Sequence, residues 1–149
     1  LEVDDVATHY AELKTQLVSV LGADETLTGH LASATAIYYR WPRTEPTFPA
    51  IVFYFTTEYG QSTNKEGVRE LSLNIDILGD DPDALDNAEE ALRALLDESP
   101  SSLTTAGWAC RRLRLLRSDQ DRVERGDPST HEPLDRNATT WSVKLYKIA

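Results

Sequence analysis

Val68–Glu98 reads VRELSLNIDILGDDPDALDNAEEALRALLDE, and this stretch decides the fold. Leu71, Leu73, Ile75 and Ile77 alternate with Ser72, Asn74 and Asp76, the period of a strand with one buried and one polar face. Gly79-Asp80-Asp81-Pro82 then breaks the strand. Asp81 can accept backbone N–H bonds as an N-cap, and Pro82 suits the first helical position, whose N–H would have no intrahelical partner. Beyond it the period turns helical, with Leu85, Ala88, Leu92 and Leu95 on one stripe. The unit is a strand, a sharp turn and a helix, with no evident chemistry of its own.

Upstream, Val3, Val6, Tyr10, Leu13, Leu17 and Val20 step by threes and fours. They predict an amphipathic helix over Val3–Leu21 with Gly22 as C-cap. Asp4 and Asp5 in its first turn suit the helix dipole. Ala23–Ser33 reads as a polar connection, and Thr35–Trp41 (TAIYYRW) as a strand whose Tyr38 and Tyr39 point to opposite faces. Pro42, Pro46 and Pro49 punctuate a loop. Ala50–Thr56 (AIVFYFT) is a nearly continuous apolar strand, followed by the polar hairpin tip Thr57–Gly67.

Downstream, Ser99–Gly107 reads as a loop and Trp108–Arg117 as a strand. Ser118–Asn137 reads as a long, highly charged loop. Ala138–Ile148 closes the chain as a strand with Trp141, Val143 and Leu145 on one face. The order α-β-β-β-α-β-β predicts an α+β fold: two layers, a mostly antiparallel sheet with helices on one face, the first three strands meandering.

The 149 residues suit a single domain, 1–149, able to bury about 70% of its unfolded surface. The formal net charge of −10 repels free nucleic acid and anionic membranes. Only Lys14, Lys65, Lys144 and Lys147 are lysines, and the Arg bias fits a halophilic source or a GC-rich genome equally. The lone Cys110 excludes an intrachain disulfide and a cysteine zinc site, and reads as a small apolar core residue. No run approaches a membrane span, and no signal peptide is visible. The chain opens on Leu1 rather than Met, which processing or trimming is expected to explain.

Motifs for catalysis are sparse. Asp80, Asp81, Asp83 and Asp86 could suggest a cation site, but helix capping and dipole compensation explain them, and no EF-hand spacing is present. His9, His30 and His131 are scattered, with no G-x-S-x-G or H-E-x-x-H. Asp76 and Lys65 could serve a metal-dependent nuclease, yet Asp76 fits the solvent face of the sheet and the net charge opposes DNA binding. No catalytic, cofactor-binding or metal-binding residue is expected. Arg111, Arg112, Arg114 and Arg117 on the fourth strand, with Arg122, Arg125 and Arg136 in the loop after it, form a basic stripe that either pairs with nearby acids or faces an acidic partner or nucleic acid. Tyr38, Tyr39, Trp41, Phe48, Phe53, Tyr54 and Phe55 crowd one hairpin, more aromatics than one core face absorbs.

The helix, the Pro-containing hairpin ending in FPAIVFYFT, the strand VRELSLNIDIL, the helix after an acidic turn and the final TTWSVKLYKI together resemble tail terminator (tail completion) proteins. These belong to long-tailed phages and archaeal tailed viruses. The resemblance implies a non-enzymatic virion protein at the head–tail junction: a ring, usually hexameric, that caps the tail tube and joins it to a neck or head-completion protein. DNA would pass through the lumen without specific binding, and no cofactor or membrane would be involved. A different neck or connector protein would carry a similar sequence. Expected partner contacts are Glu58, Tyr59, Lys65 and Glu66 in one loop and Asp119, Asp121, Arg122, Glu124 and Arg125 in the other. Tyr38, Tyr39, Arg40 and Arg43 are expected between subunits. The charged loop Ser118–Asn137 is expected to order on binding.

Overall fold

A computed structural model describes the backbone of residues 2–57, 67–123 and 133–148, and the side chains of these from residue 11 onward except residue 57. The elements are α1 (Glu2–Ala23), α2 (Glu25–Thr28), β1 (Ile37–Tyr39), β2 (Ala50–Thr57), β3 (Val68–Gly79), α3 (Pro82–Leu96), a 3₁₀ turn (Pro100–Leu103), β4 (Trp108–Val123) and β5 (Leu134–Lys147). They form an α+β fold in which one five-stranded sheet, ordered β1-β2-β3-β5-β4, carries the helices on one face.

The alternation that predicted β3 is the alternation that builds the core. Leu71, Leu73, Ile75 and Ile77 are buried, as are Ile51, Phe53 and Phe55 on β2 and Trp141, Val143 and Leu145 on β5. Leu13, Leu17 and Leu21 of α1 and Leu85, Ala88 and Leu92 of α3 close over them. The α3 start is as read: Asp81 is the N-cap, its carboxylate accepting from the Asp83 N–H at 3.1 Å, and Pro82 opens the helix. Trp141 is fully buried, and its indole N–H donates to Thr139 Oγ1 at 2.8 Å. Thr139 in turn donates to the Ile75 carbonyl at 2.8 Å, tying the core of β5 to β3.

Several local expectations are corrected. Gly22 lies inside α1 and is not its C-cap. The supposed polar connection holds the one-turn α2, capped by Asp24 and anchored by buried Leu27, and the loop after α3 holds the 3₁₀ turn. β1 is only three residues long and runs parallel to β2, so the first three strands do not meander. The other pairs, β2–β3, β3–β5 and β4–β5, are antiparallel.

The largest correction concerns the charged loop. β4 continues to Val123 and β5 begins at Leu134, so Asp119, Asp121 and Arg122 lie on a strand rather than in a loop. Ser118 faces Thr139, and Gln120 faces Asn137 in register. The extension lacks apolar alternation because its helix-side positions meet polar groups of α3. β4 also carries two register shifts, between Cys110 and Arg112 and between Leu115 and Arg117. Each inserts a residue with no partner on β5, a β-bulge that resets which face the next side chain takes.

Candidate functional site

The face of the sheet away from the helices carries charged side chains from three strands. Cross-strand register places Glu70 of β3, Lys144 of β5 and Arg112 of β4 in one row. Lys144 Nζ lies 3.5 Å from Glu70 Oε1. Asp76, Arg136 and Asp121 make a second row further along. Arg136 grips Asp121 with two donors, Nε at 2.9 Å and Nη2 at 2.6 Å, and its Nη1 is 3.9 Å from Asp76 Oδ2. Arg117 pairs with Asp119 at 2.6 Å, an exposed contact that contributes little to stability.

The second row sets its own electrostatics. Burial pushes the Asp76 carboxyl above its ordinary value, Arg136 opposing and Asp121 assisting. The hydrogen bonds from Arg136 hold Asp121 below its ordinary value. One guanidinium thus serves two carboxylates, and the exposed one has the better geometry.

At the sheet–helix boundary a polar cluster joins α3 to β4 and β5. Glu89, 8% exposed, accepts from Ser118 Oγ at 3.0 Å and Asn137 Nδ2 at 3.1 Å, and pairs with Arg93 at 2.7 Å. Asp86 accepts from Gln120 Nε2 and Asn137 Nδ2, both at 2.9 Å. An open cleft of about 230 Å³ lies here, lined by Asp86, Glu89, Glu90, Arg93 and Gln120. Glu89 and Asp86 are engaged by protein donors, so the cluster is a clamp. The aspartates after β3 divide the same way: Asp81 caps α3 and Asp86 clamps it.

Among the described residues no group of three or more His, Cys, Asp or Glu is placed to hold a metal ion. Cys110 is buried, donates to the Arg112 carbonyl at 3.3 Å, and burial pushes its thiol up to about 11. It is a core residue with little thiolate character. No helix among the described residues is long and apolar enough to cross a membrane.

The residues expected at partner contacts are scattered. Tyr38 and Tyr39, both half-buried, do take opposite faces: Tyr38 packs on Val52 and Leu78, Tyr39 on Phe53 at a ring distance of 5.4 Å. Lys14 and Arg40 each sit 5.4 Å from the Tyr39 ring centre. Arg40 is exposed, with φ of 64°, and its N–H donates to the Phe53 carbonyl. Arg43 is exposed in the following loop, near Trp41, which is 51% exposed. Asp121 shares the charged sheet face with Asp119, whereas Arg122 reaches Asp135 at 3.4 Å. Glu58, Tyr59, Lys65, Glu66, Glu124 and Arg125 lie outside the described residues, as do His131 and the side chain of His9. Arg136, expected in the basic stripe, lies on β5 rather than in a loop, and Glu70 and Lys144 join it on the charged face although nothing in the sequence marked them. Strand register assembles them: Glu70 faces Lys144 across β3 and β5, and the bulges of β4 set which of its arginines stand beside them.

No family model matches the chain, and no curated protein matches it. Among solved structures, a chain from the "virion of native gene transfer agent (GTA) particle" has a TM-score of 0.68 and 18% identity. The match covers 92% of this chain and 93% of that one. At this identity the likeness is one of fold, and it runs nearly end to end in both chains.

Proposed function

We propose that this chain is a structural virion protein, a tail terminator that closes into a ring on the last ring of a tail tube and joins it to the neck. The observation that carries the reading is the near end-to-end fold likeness to a chain of a gene transfer agent virion. The match leaves little of either chain outside the shared fold, so the role is sought on the surface of that fold. Three things fit: an outward sheet face dense in charge, a polar clamp that holds the helix layer to the sheet, and, at the other edge of the sheet, exposed Trp41 just after Tyr38 and Tyr39. In this reading the protein is not an enzyme, and it acts by surface complementarity. One ring face stacks on the tube and stops further addition, and the other receives the neck. The net charge of −10 keeps DNA from sticking as it passes.

A second reading, another neck or head–tail connector protein, draws on the same likeness, which is to a chain of a whole particle rather than to one position in it. The test is electron microscopy of the purified chain mixed with assembled tail tubes from the same particle. Rings capping one tube end support the terminator. Rings that bind only the portal or neck assembly favour the connector. Failure to join either would end both readings. Divalent-metal-dependent DNA cleavage lost in Asp76→Ala would point instead to a nuclease.

A further inference from the structure

The two outer faces of this two-layer domain carry opposite surplus charge. On α3 the solvent stripe runs Asp83, Asn87, Glu90 and Ala94, with Asp80 before it and Asp97 and Glu98 after it, all exposed. The single basic residue of that helix, Arg93, is turned to the flank, where it pairs with Glu89. Asp80, Asp83 and Glu90 have no ion-pair partner among the described residues.

On the opposite side, the charged sheet face falls into two halves. Around Arg136 and Arg117 each cation has its carboxylate, so that half is close to neutral. Around Lys144 it is not. Arg112, Arg114 and Lys144 stand together, with Glu70 the one acid in their midst among the described residues, and Lys144 already engages it. Arg114 is exposed, and neither it nor Arg112 has a carboxylate partner among the described residues. Tyr146, two residues beyond Lys144 on the same face and 37% exposed, adds an aromatic anchor of the kind that dominates interface energetics.

We propose that copies of this chain contact one another head to tail, the acidic outer face of α3 on one copy seated on the Arg112–Arg114–Lys144–Tyr146 face of the next. The inference rests on the ring reading and names the surfaces that build the ring. Charge decides the mode of contact. An isologous contact through either face brings like surplus charge together, in a protein whose net charge already opposes association. A heterologous contact joins opposite signs. Because the two faces lie on opposite sides of one domain, repetition of the contact gives a closed ring or an open filament, not a dimer.

Two exposed positions test this: Arg114→Glu on the sheet face and Glu90→Lys on α3. Sedimentation of the unmodified chain over a range of protein concentration and salt should show association that weakens as salt rises. Each reversal alone should weaken it roughly tenfold or more. Mixing the two variants, or combining both reversals in one chain, should recover it, because acid again meets base. Circular dichroism confirms that the variants fold. Association unaffected by either reversal, or weakened but not recovered by the combination, overturns the proposed contact while leaving a ring built on other surfaces intact. No self-association under any condition also overturns it, and the ring reading is then judged separately by whether the chain caps tubes.

Discussion

Asn137 secures Glu89: its Nδ2 donates to Glu89 Oε1 at 3.1 Å and, with its other hydrogen, to Asp86 Oδ1 at 2.9 Å. One amide on β5 thus fastens two carboxylates that lie about one turn apart on α3. Asn137→Ala leaves Glu89 buried with fewer donors and should destabilise the fold by about 2 kcal/mol, the range for hydrogen bonds to charged groups. Urea denaturation followed by Trp fluorescence measures it. A change near zero would mean that Ser118 and Arg93 satisfy Glu89 alone.

Thr139→Val keeps the shape of a fully buried position but removes the hydroxyl that links Trp141 to Ile75. The indole N–H is left without its acceptor inside the core. A loss of about 2 kcal/mol is expected. The same denaturation experiment reads it, and the Trp emission should shift as well.

Asp76→Asn should alter stability in a pH-dependent way. Burial raises the carboxyl above its ordinary value of 3.8 in the folded chain. Below 3.8 it is protonated in both states and the substitution is neutral. As pH rises from 3.8 toward the folded value, the unfolded chain gives up the proton first, and the folded state is progressively penalised. Above the folded value the penalty is complete, so Asp76→Asn should be more stable than the unmodified chain at neutral pH. Asp121 runs the other way: its stabilising pair with Arg136 is present above its unfolded value and lost as pH falls through its depressed folded value. Thermal melts of Asp76→Asn and Asp121→Asn between pH 3 and pH 7 (roughly the carboxylate titration range) separate the two.

Glu98 follows the C-cap of α3 with φ of 58°, a left-handed conformation, while its N–H donates to the Leu113 carbonyl. Glycine adopts that backbone freely, and Glu98→Gly should stabilise the fold by roughly 1 kcal/mol, less the entropy glycine adds to the unfolded chain. A lower melting temperature would show that the side chain contributes more than the strain removes.

Legibility in the sequence followed the apolar signal. Where one face of an element meets the core, as at Leu71–Ile77, Leu85–Leu92 and Trp141–Leu145, the period was readable and the structure keeps it. Where an element meets polar groups, it was not. Ser118 and Gln120 are strand positions that answer to Glu89 and Asp86, so β4 looked like loop past Arg117. β1 was readable as extended chain, but its parallel pairing depends on where the chain lies before β2, which no local pattern records. The candidate surface was visible only as a stripe of arginines. Which acids stand beside them follows from register, and register depends on two unpaired residues in β4.

Those two unpaired residues have a consequence for comparing this chain with its relatives. Without them, strict alternation would carry inward-facing Cys110 to Arg112 and Arg114. With them, the inward positions run Cys110, Leu113, Leu115 and Ser118, so the strand is written in three successive reading frames. A relative that lacks either bulge will show its apolar residues out of phase with these, and a gapless alignment across β4 will match core against surface. An alignment that allows single-residue gaps at Arg111 and Leu116 keeps core against core along the whole of β4.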